Sequence, residues 1–158
     1  MNAEELLQRY AAGERDFTGI KLPRVRLLDV NLSRAIFREA DLSNASLDWA
    51  DLSYADLSYA NLRGAYLGEA SLGEASLGGA NLEGADLSGV VCGQTSFKNA
   101  NLSHGNLRRA ILTETYFKNA NLSHADLRGA SYFSINSCKG ATFNETIMPD
   151  GSIRSDGI

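Results

Sequence analysis

The residues best suited to chemistry are few. His104 and His124 stand twenty residues apart in the same setting, Asn-Leu-Ser-His. Stacked in neighbouring rows, two imidazoles could share a surface metal, but no carboxylate or thiol stands in their register. A surface pair copied with its surroundings is the expectation. Cys92 and Cys138 fall on different sides of the chain path and too far apart for a bridge, so they read as small buried apolar residues. Gly68, Gly73, Gly78, Gly79, Gly84 and Gly89 could cradle a phosphate only with a following helix and a lysine, and neither is present. They read as turn residues with positive φ. What is left is an outward group of aromatics and acids: Trp49, Tyr54, Tyr59 and Tyr66 with Asp48, Asp51, Asp56, Glu69 and Glu74. Trp and Tyr beside carboxylates suit the anchoring of a protein partner. No catalytic, cofactor or metal site is expected.

These side chains are carried by a repeat. Ala40-Asp41-Leu42, Ala45-Ser46-Leu47, Ala50-Asp51-Leu52 and their successors run through residues 40–89 with a period of five. A helix would scatter such leucines, because five steps of about 100° turn the chain by about 140°. A flat strand would send them to alternating faces. A short strand followed by a corner resolves both conflicts. Alanine and leucine then face one interior, the residue between them faces out, and two corner residues reset the phase. A second period fixes the number of sides: Phe97-Lys98-Asn99-Ala100-Asn101-Leu102-Ser103-His104 returns at Phe117, four units later. Phe17, Phe37, Phe97 and Phe117 share one register, as do Asn61, Asn81, Asn101 and Asn121. The coil therefore has four sides, with asparagine ladders between coils. Phe17, Phe37, Leu42, Leu62, Leu82, Phe97, Phe117 and Leu122 are its expected core. Ser58 faces out and should be replaceable at little cost.

The chain resembles the pentapeptide-repeat proteins, whose motif A(D/N)LXX is carried by Ala40-Asp41-Leu42-Ser43-Asn44 and its successors over residues 16–148. The resemblance implies an all-β fold, a right-handed quadrilateral parallel β-helix. About six coils at about 4.8 Å would stand about 30 Å tall. It also implies a non-enzymatic structural or interaction protein. Some members bind DNA gyrase by imitating duplex DNA, which makes a gyrase or topoisomerase modulator the alternative. Duplex DNA carries about one charge per 1.7 Å, far denser than a few carboxylates per coil.

The ends and the charge complete the expectations. In the 158-residue chain, residues 1–14 form a short capping α-helix with Asn2 as N-cap and Gly13 as stop, residues 15–148 the β-helix, and residues 149–158 a turn and tail. After Ala130 the central residue moves by one to Phe133, Cys138, Phe143 and Met148, as a bulge at a corner would allow. The net charge of −4 conceals two bands. Nine carboxylates from Glu39 to Asp86 face only Arg63, whereas Lys98, Arg108, Arg109, Lys118 and Arg128 make the later coils basic. Direct nucleic-acid binding is not expected. Neither a membrane-spanning run nor a secretory leader is legible, so a cytoplasmic monomer or weak dimer serving an unknown protein partner is expected.

Overall fold

The computed structural model describes residues 1–157. Parallel bridges join Asp16 to Ile36, Asp41 to Asn61, Asn61 to Asn81 and so on, at a constant step of twenty residues up to Ile111 and Ser131. Four five-residue sides therefore make one turn, and each residue lies over its counterpart in the turn before. Among the described residues, the pairing widens to a parallel three-residue ladder only at Val91–Gly93 (β1) and Ile111–Thr113 (β2).

The backbone bonding explains the five-residue unit. Leu42 N–H donates to the next turn at Asn61 O (2.8 Å), and Asp41 N–H donates to the previous turn at Ile20 O (2.8 Å). The second corner residue, Asn44, donates to Arg63 O (2.8 Å), and Ala45 N–H closes the corner onto Leu42 O (3.0 Å). Four of the five amides are thereby satisfied by backbone. The fifth, at the first corner residue, is taken by a side chain: Asp41 Oδ1 accepts from Ser43 N–H at 3.1 Å. Every Asp or Asn at this position from Asp16 to Asp126 does the same, at 2.9 to 3.2 Å. This is the physical reason for Asp or Asn in the motif, since a short side-chain oxygen two residues back reproduces a turn bond. The asparagine ladder is secondary: Asn61 Nδ2 reaches Asp41 Oδ1 (3.1 Å), and Asn101 reaches Asn81 only at 3.5 Å.

Inside, Phe17, Phe37, Leu42, Leu62, Leu82, Phe97, Phe117 and Leu122 are each 1 % exposed or less. Burying each such side chain stabilises by roughly 1.5–3 kcal/mol. The phenylalanines stack in pairs, Phe17 on Phe37 (5.6 Å) and Phe97 on Phe117 (5.4 Å). Thr95, Thr115 and Thr146 occupy alanine positions, and their hydroxyls donate to Leu72 O (2.7 Å), Cys92 O (3.1 Å) and Leu122 O (2.7 Å). The polar atoms are thus buried without being orphaned. Ser58 departs from the sequence expectation. It is 8 % exposed, and its Oγ lies 2.9 Å from Ser76 Oγ of the next turn, the residue that stands over Asp56.

Helix α1 (Ala3–Ala11) is capped by Asn2, whose Oδ1 accepts from Glu5 N–H at 2.9 Å. Leu6 is fully buried in the same core as Phe17, and Tyr10 Oη donates to Ser33 O (2.9 Å). At the other end the register slips as the sequence indicates, although a 3-10 turn over Ile135–Cys138 replaces the expected bulge. Asn121 consequently pairs with Thr142 and Asp126 with Ile147, one residue beyond the usual step. Phe133 is half-buried instead of central, and tilts against Phe117 (5.9 Å). The tail closes on the stack. Thr146–Ile147 (β3) pairs antiparallel with Ile153–Arg154 (β4), and Asp150 Oδ1 accepts Ser152 N–H in the turn between them. Of the segment 149–158, Ile158 lies outside the described residues.

Candidate interaction surface

The second corner residue of each unit has positive φ, which turns its side chain outward at an edge of the coil. Trp49 (φ 59°), Tyr54 (62°) and Tyr59 (60°) adopt this conformation, as do charged residues along the stack. Such a φ is strained for a non-glycine residue, and the closing bond of each corner holds it. The first corner residues Gly68, Gly73 and Gly78 do not have positive φ, contrary to the sequence reading. The second-corner glycines Gly79, Gly84 and Gly89 do have it (φ 68°, 66° and 65°), and at this position glycine also allows close contact. The Tyr59 ring lies across Gly79 so closely that a Cβ there would be 2.5 Å from its Cε1, and Asn44 covers Gly64 in the same way.

Trp49, Tyr54, Tyr59 and Tyr66 are 58 %, 49 %, 62 % and 51 % exposed. The structure does not gather them into one belt. Trp49, Asp48 and Glu69 stand on one edge, with Tyr66 on the side leading to it. Tyr54 and Glu74 stand on the next edge, where the Arg34 guanidinium lies 4.5 Å from the Tyr54 ring centroid. That edge carries a groove of ≈ 450 Å³ lined by Tyr54, Gly73, Glu74, Gly93 and Glu114. Tyr59 occupies a third edge, and Asp51 and Asp56 lie on the sides between.

The carboxylates divide into two kinds. Asp41, Asp51, Asp56 and Asp86 are spent on the corner N–H two residues on, and Asp48 on the corner N–H of Gly68 in the next turn (3.0 Å). The Ser43 hydroxyl and then its N–H hold the Asp41 carboxyl below the usual range. Burial pushes Asp56 upward, but the bonds from Ser58 and Arg38 outweigh it and its pKa is lowered. Arg38 lies 3.0 Å from Asp56 and Arg63 lies 3.5 Å from Glu83, so Arg63 is not the only cation facing the acidic band. Asp48, Glu69 and Glu74 form no ion pair among the described residues.

The remaining candidates are placed as follows. His104 and His124 stack at 4.7 Å with 12° between their planes, which aims their lone pairs in parallel instead of at one point. The sequence register put no carboxylate beside them, yet Glu145 Oε2 lies 3.3 Å from His124 Nδ1 because the extra residue past Ser131 shifts it into the column. Among the described residues no group of three or more His, Cys, Asp or Glu is arranged to hold a metal ion. Cys92 and Cys138 are free and buried, and burial pushes their thiols up to about 12 and about 11. Neither offers a thiolate nucleophile. An open surface hollow of ≈ 690 Å³ lies at the C-terminal end, where Phe133, Ile135, Met148 and Ile153 line it together with Asp150, Arg154 and Asp156. Among the described residues no helix is long and apolar enough to cross a membrane.

The profile of the pentapeptide repeats matches this chain in eight copies, over residues 16–48, 50–89, 65–103 and 95–131. No curated protein matches it. Among solved structures, it is 28 % identical to HetL, a pentapeptide repeat protein involved in heterocyst differentiation regulation from Nostoc sp. strain PCC 7120, covering 98 % of this chain and 100 % of that one at a TM-score of 0.29. It is 31 % identical to alr5209, a pentapeptide repeat protein from Nostoc PCC 7120, covering 89 % and 93 % at a TM-score of 0.39. With QnrB1, a plasmid-mediated fluoroquinolone resistance protein, the identity is 21 % over 81 % and 85 % at a TM-score of 0.43. A five-residue unit bonded turn to turn, and a family profile that matches well over half of the residues, lead to one conclusion: the chain belongs to the pentapeptide repeat family.

Proposed function

We propose that this protein is a non-catalytic scaffold, a right-handed quadrilateral β-helix of about six coils whose open N-terminal end is covered by α1, and that it binds a protein partner in the cytoplasm through outward edge residues. The observation that carries this reading is the exposure of Trp49, Tyr54, Tyr59 and Tyr66 within one part of the stack whose interior is filled. Large aromatics that the core does not use are the composition of binding hot spots, and Glu69 and Glu74 beside them make no ion pair among the described residues. Affinity capture from the native cell with the intact chain should retain a defined partner. The triple variant Trp49→Ala/Tyr54→Ala/Tyr59→Ala should lose it while keeping its far-UV circular dichroism. Equal capture by both chains would refute the assignment of these residues.

A DNA-like gyrase modulator is the weaker reading. Five of the nine band carboxylates are bound to backbone N–H groups, which thins an already sparse charge line. Unchanged gyrase supercoiling at concentrations well above the enzyme would remove it.

A further inference from the structure

One edge of the coil differs from the other three. Successive N–H to carbonyl bonds stack its corners in a single column: Asp29 on Asp48, Trp49 on Gly68, Glu69 on Ser88, Gly89 on Arg108 and Arg109 on Arg128. Read along the axis, the first three corners carry Asp29, Asp48 and Glu69. The fourth carries only Ser88 and Gly89, and the next two carry Arg108, Arg109 and Arg128. The column is therefore negative, then small and neutral, then positive. Arg108 and Arg128 share Asp126 (3.9 and 2.6 Å), and Arg109 has no carboxylate partner among the described residues, so the far end keeps its positive excess. Asp150, beyond it, is held by Ser152 N–H. The other edges lack this inversion. The edge of Lys98, Lys118 and Lys139 has Arg38 and Glu39 at its other end, and those of Tyr54 and His124 carry mixed signs.

We infer that this edge is the seat of a second copy of the same chain, packed antiparallel about a two-fold axis at the level of Ser88 and Gly89. A two-fold perpendicular to the rod exchanges the corners above that level with those below it, as an isologous interface requires. Glu69 of each copy then faces Arg109 of the other, and Asp48 and Trp49 face Arg128. Opposite charges meet at four places, two for each pair, only the outermost corners set like charges, Asp29 and Asp150, at one level, and a guanidinium comes within reach of an exposed indole. The middle of the edge fits close approach. Glu69, Ser88, Gly89 and Arg109 line a notch of ≈ 220 Å³. Just past it, Val91 is 42 % exposed and so supplies apolar surface beside the axis, where the two-fold brings both valines to the same side of the seam. A parallel, staggered arrangement would also oppose the charges, but it leaves one band unpaired at each end and grows without closing. This inference goes beyond the partner reading but shares Trp49, Asp48 and Glu69 with it; Tyr54 and Tyr59 lie on other edges, so a Tyr54→Ala/Tyr59→Ala variant without the Trp49 change tests partner capture with this edge intact.

The test uses sedimentation velocity on the full chain and two variants, Asp48→Lys/Glu69→Lys and Arg109→Glu/Arg128→Glu, all checked by circular dichroism. At about 0.02 M salt, where the screening length exceeds 10 Å, the unaltered chain should sediment at twice its 17.0 kDa. Each variant alone should sediment as a monomer, since its column now carries mainly one sign. An equimolar mixture of the two variants should restore the dimer. A monomeric unaltered chain, variants that still dimerise, a mixture that stays monomeric, or mass that grows without limit would each overturn the inference.

Discussion

The stack below Ser88 and the stack above it share one backbone and differ in what they show to solvent. Below, the corners carry Asp48, Glu69 and Glu74 with the exposed Trp49, Tyr54 and Tyr59. Above, they carry Lys98, Arg108, Arg109, Lys118 and Arg128 with the stacked His104 and His124. The bonds that hold the coils are the same in both: Leu62 N–H to Asn81 O is 2.7 Å and Leu102 N–H to Asn121 O is 2.8 Å. Stability is thus the property of the positions the two parts share, and recognition belongs to the positions at which they differ.

The largest effect should appear in the shared interior. Phe37→Ala and Phe117→Ala each remove one ring of a buried stacked pair and should cost about 3–5 kcal/mol in urea denaturation. Costs that differ widely between the two would show that the parts are not one scaffold. Next comes the division among carboxylates. Asp86→Ala removes the acceptor for Ser88 N–H (2.9 Å) and Asn106 Nδ2 (3.2 Å), and should cost about 1–2 kcal/mol. Glu69→Ala, at an exposed corner, should stay within about 0.5 kcal/mol. Similar costs for the two would erase the distinction between fold-bearing and surface acids.

A smaller effect is expected from acid. The Arg128 guanidinium holds Asp126 below its ordinary value, and hydrogen bonds from Ser43 do the same for Asp41. Because their folded values are depressed, these groups contribute stability that is complete above the ordinary carboxylate range. That contribution is lost as pH falls through the folded values. Asp41→Asn keeps the acceptor oxygen and removes the proton uptake, so it should flatten the acid limb of a melting-temperature profile while leaving the neutral value nearly unchanged. An unchanged acid limb would contradict the assignment. The smallest effect is expected at Ser53→Ala, a half-buried corner residue whose hydroxyl makes no hydrogen bond among the described residues, measured against Ser58→Ala, where the 2.9 Å contact with Ser76 Oγ is lost. The first should be silent and the second should cost about 1 kcal/mol.

The inward register was legible because period five allows only one way to keep Ala40, Leu42 and their successors on one side. The corner direction of Trp49, Tyr54 and Tyr59 followed from the same geometry. The role of Asp41 and its equivalents was not legible, because alternation says that a residue faces out without saying which amide its oxygen then meets. The burial of Ser58 and the approach of Glu145 to His124 were hidden for a related reason. Both depend on contacts between turns, and the second also needs the one-residue slip over 131–137 to be placed in space. Spacing alone separated the four aromatics from the core, but only the stacked corners show that Trp49 and Glu69 share an edge whose charge inverts at Gly89.

The claim that the outward residues of these two parts recognise each other is tested most directly by the unaltered chain in a salt series. Its weight-average mass by sedimentation equilibrium should approach twice 17.0 kDa at about 0.02 M salt and return to 17.0 kDa near 1 M, where the screening length is about 3 Å. A mass of 17.0 kDa at every salt concentration, or a dimer that salt does not dissociate, would contradict it.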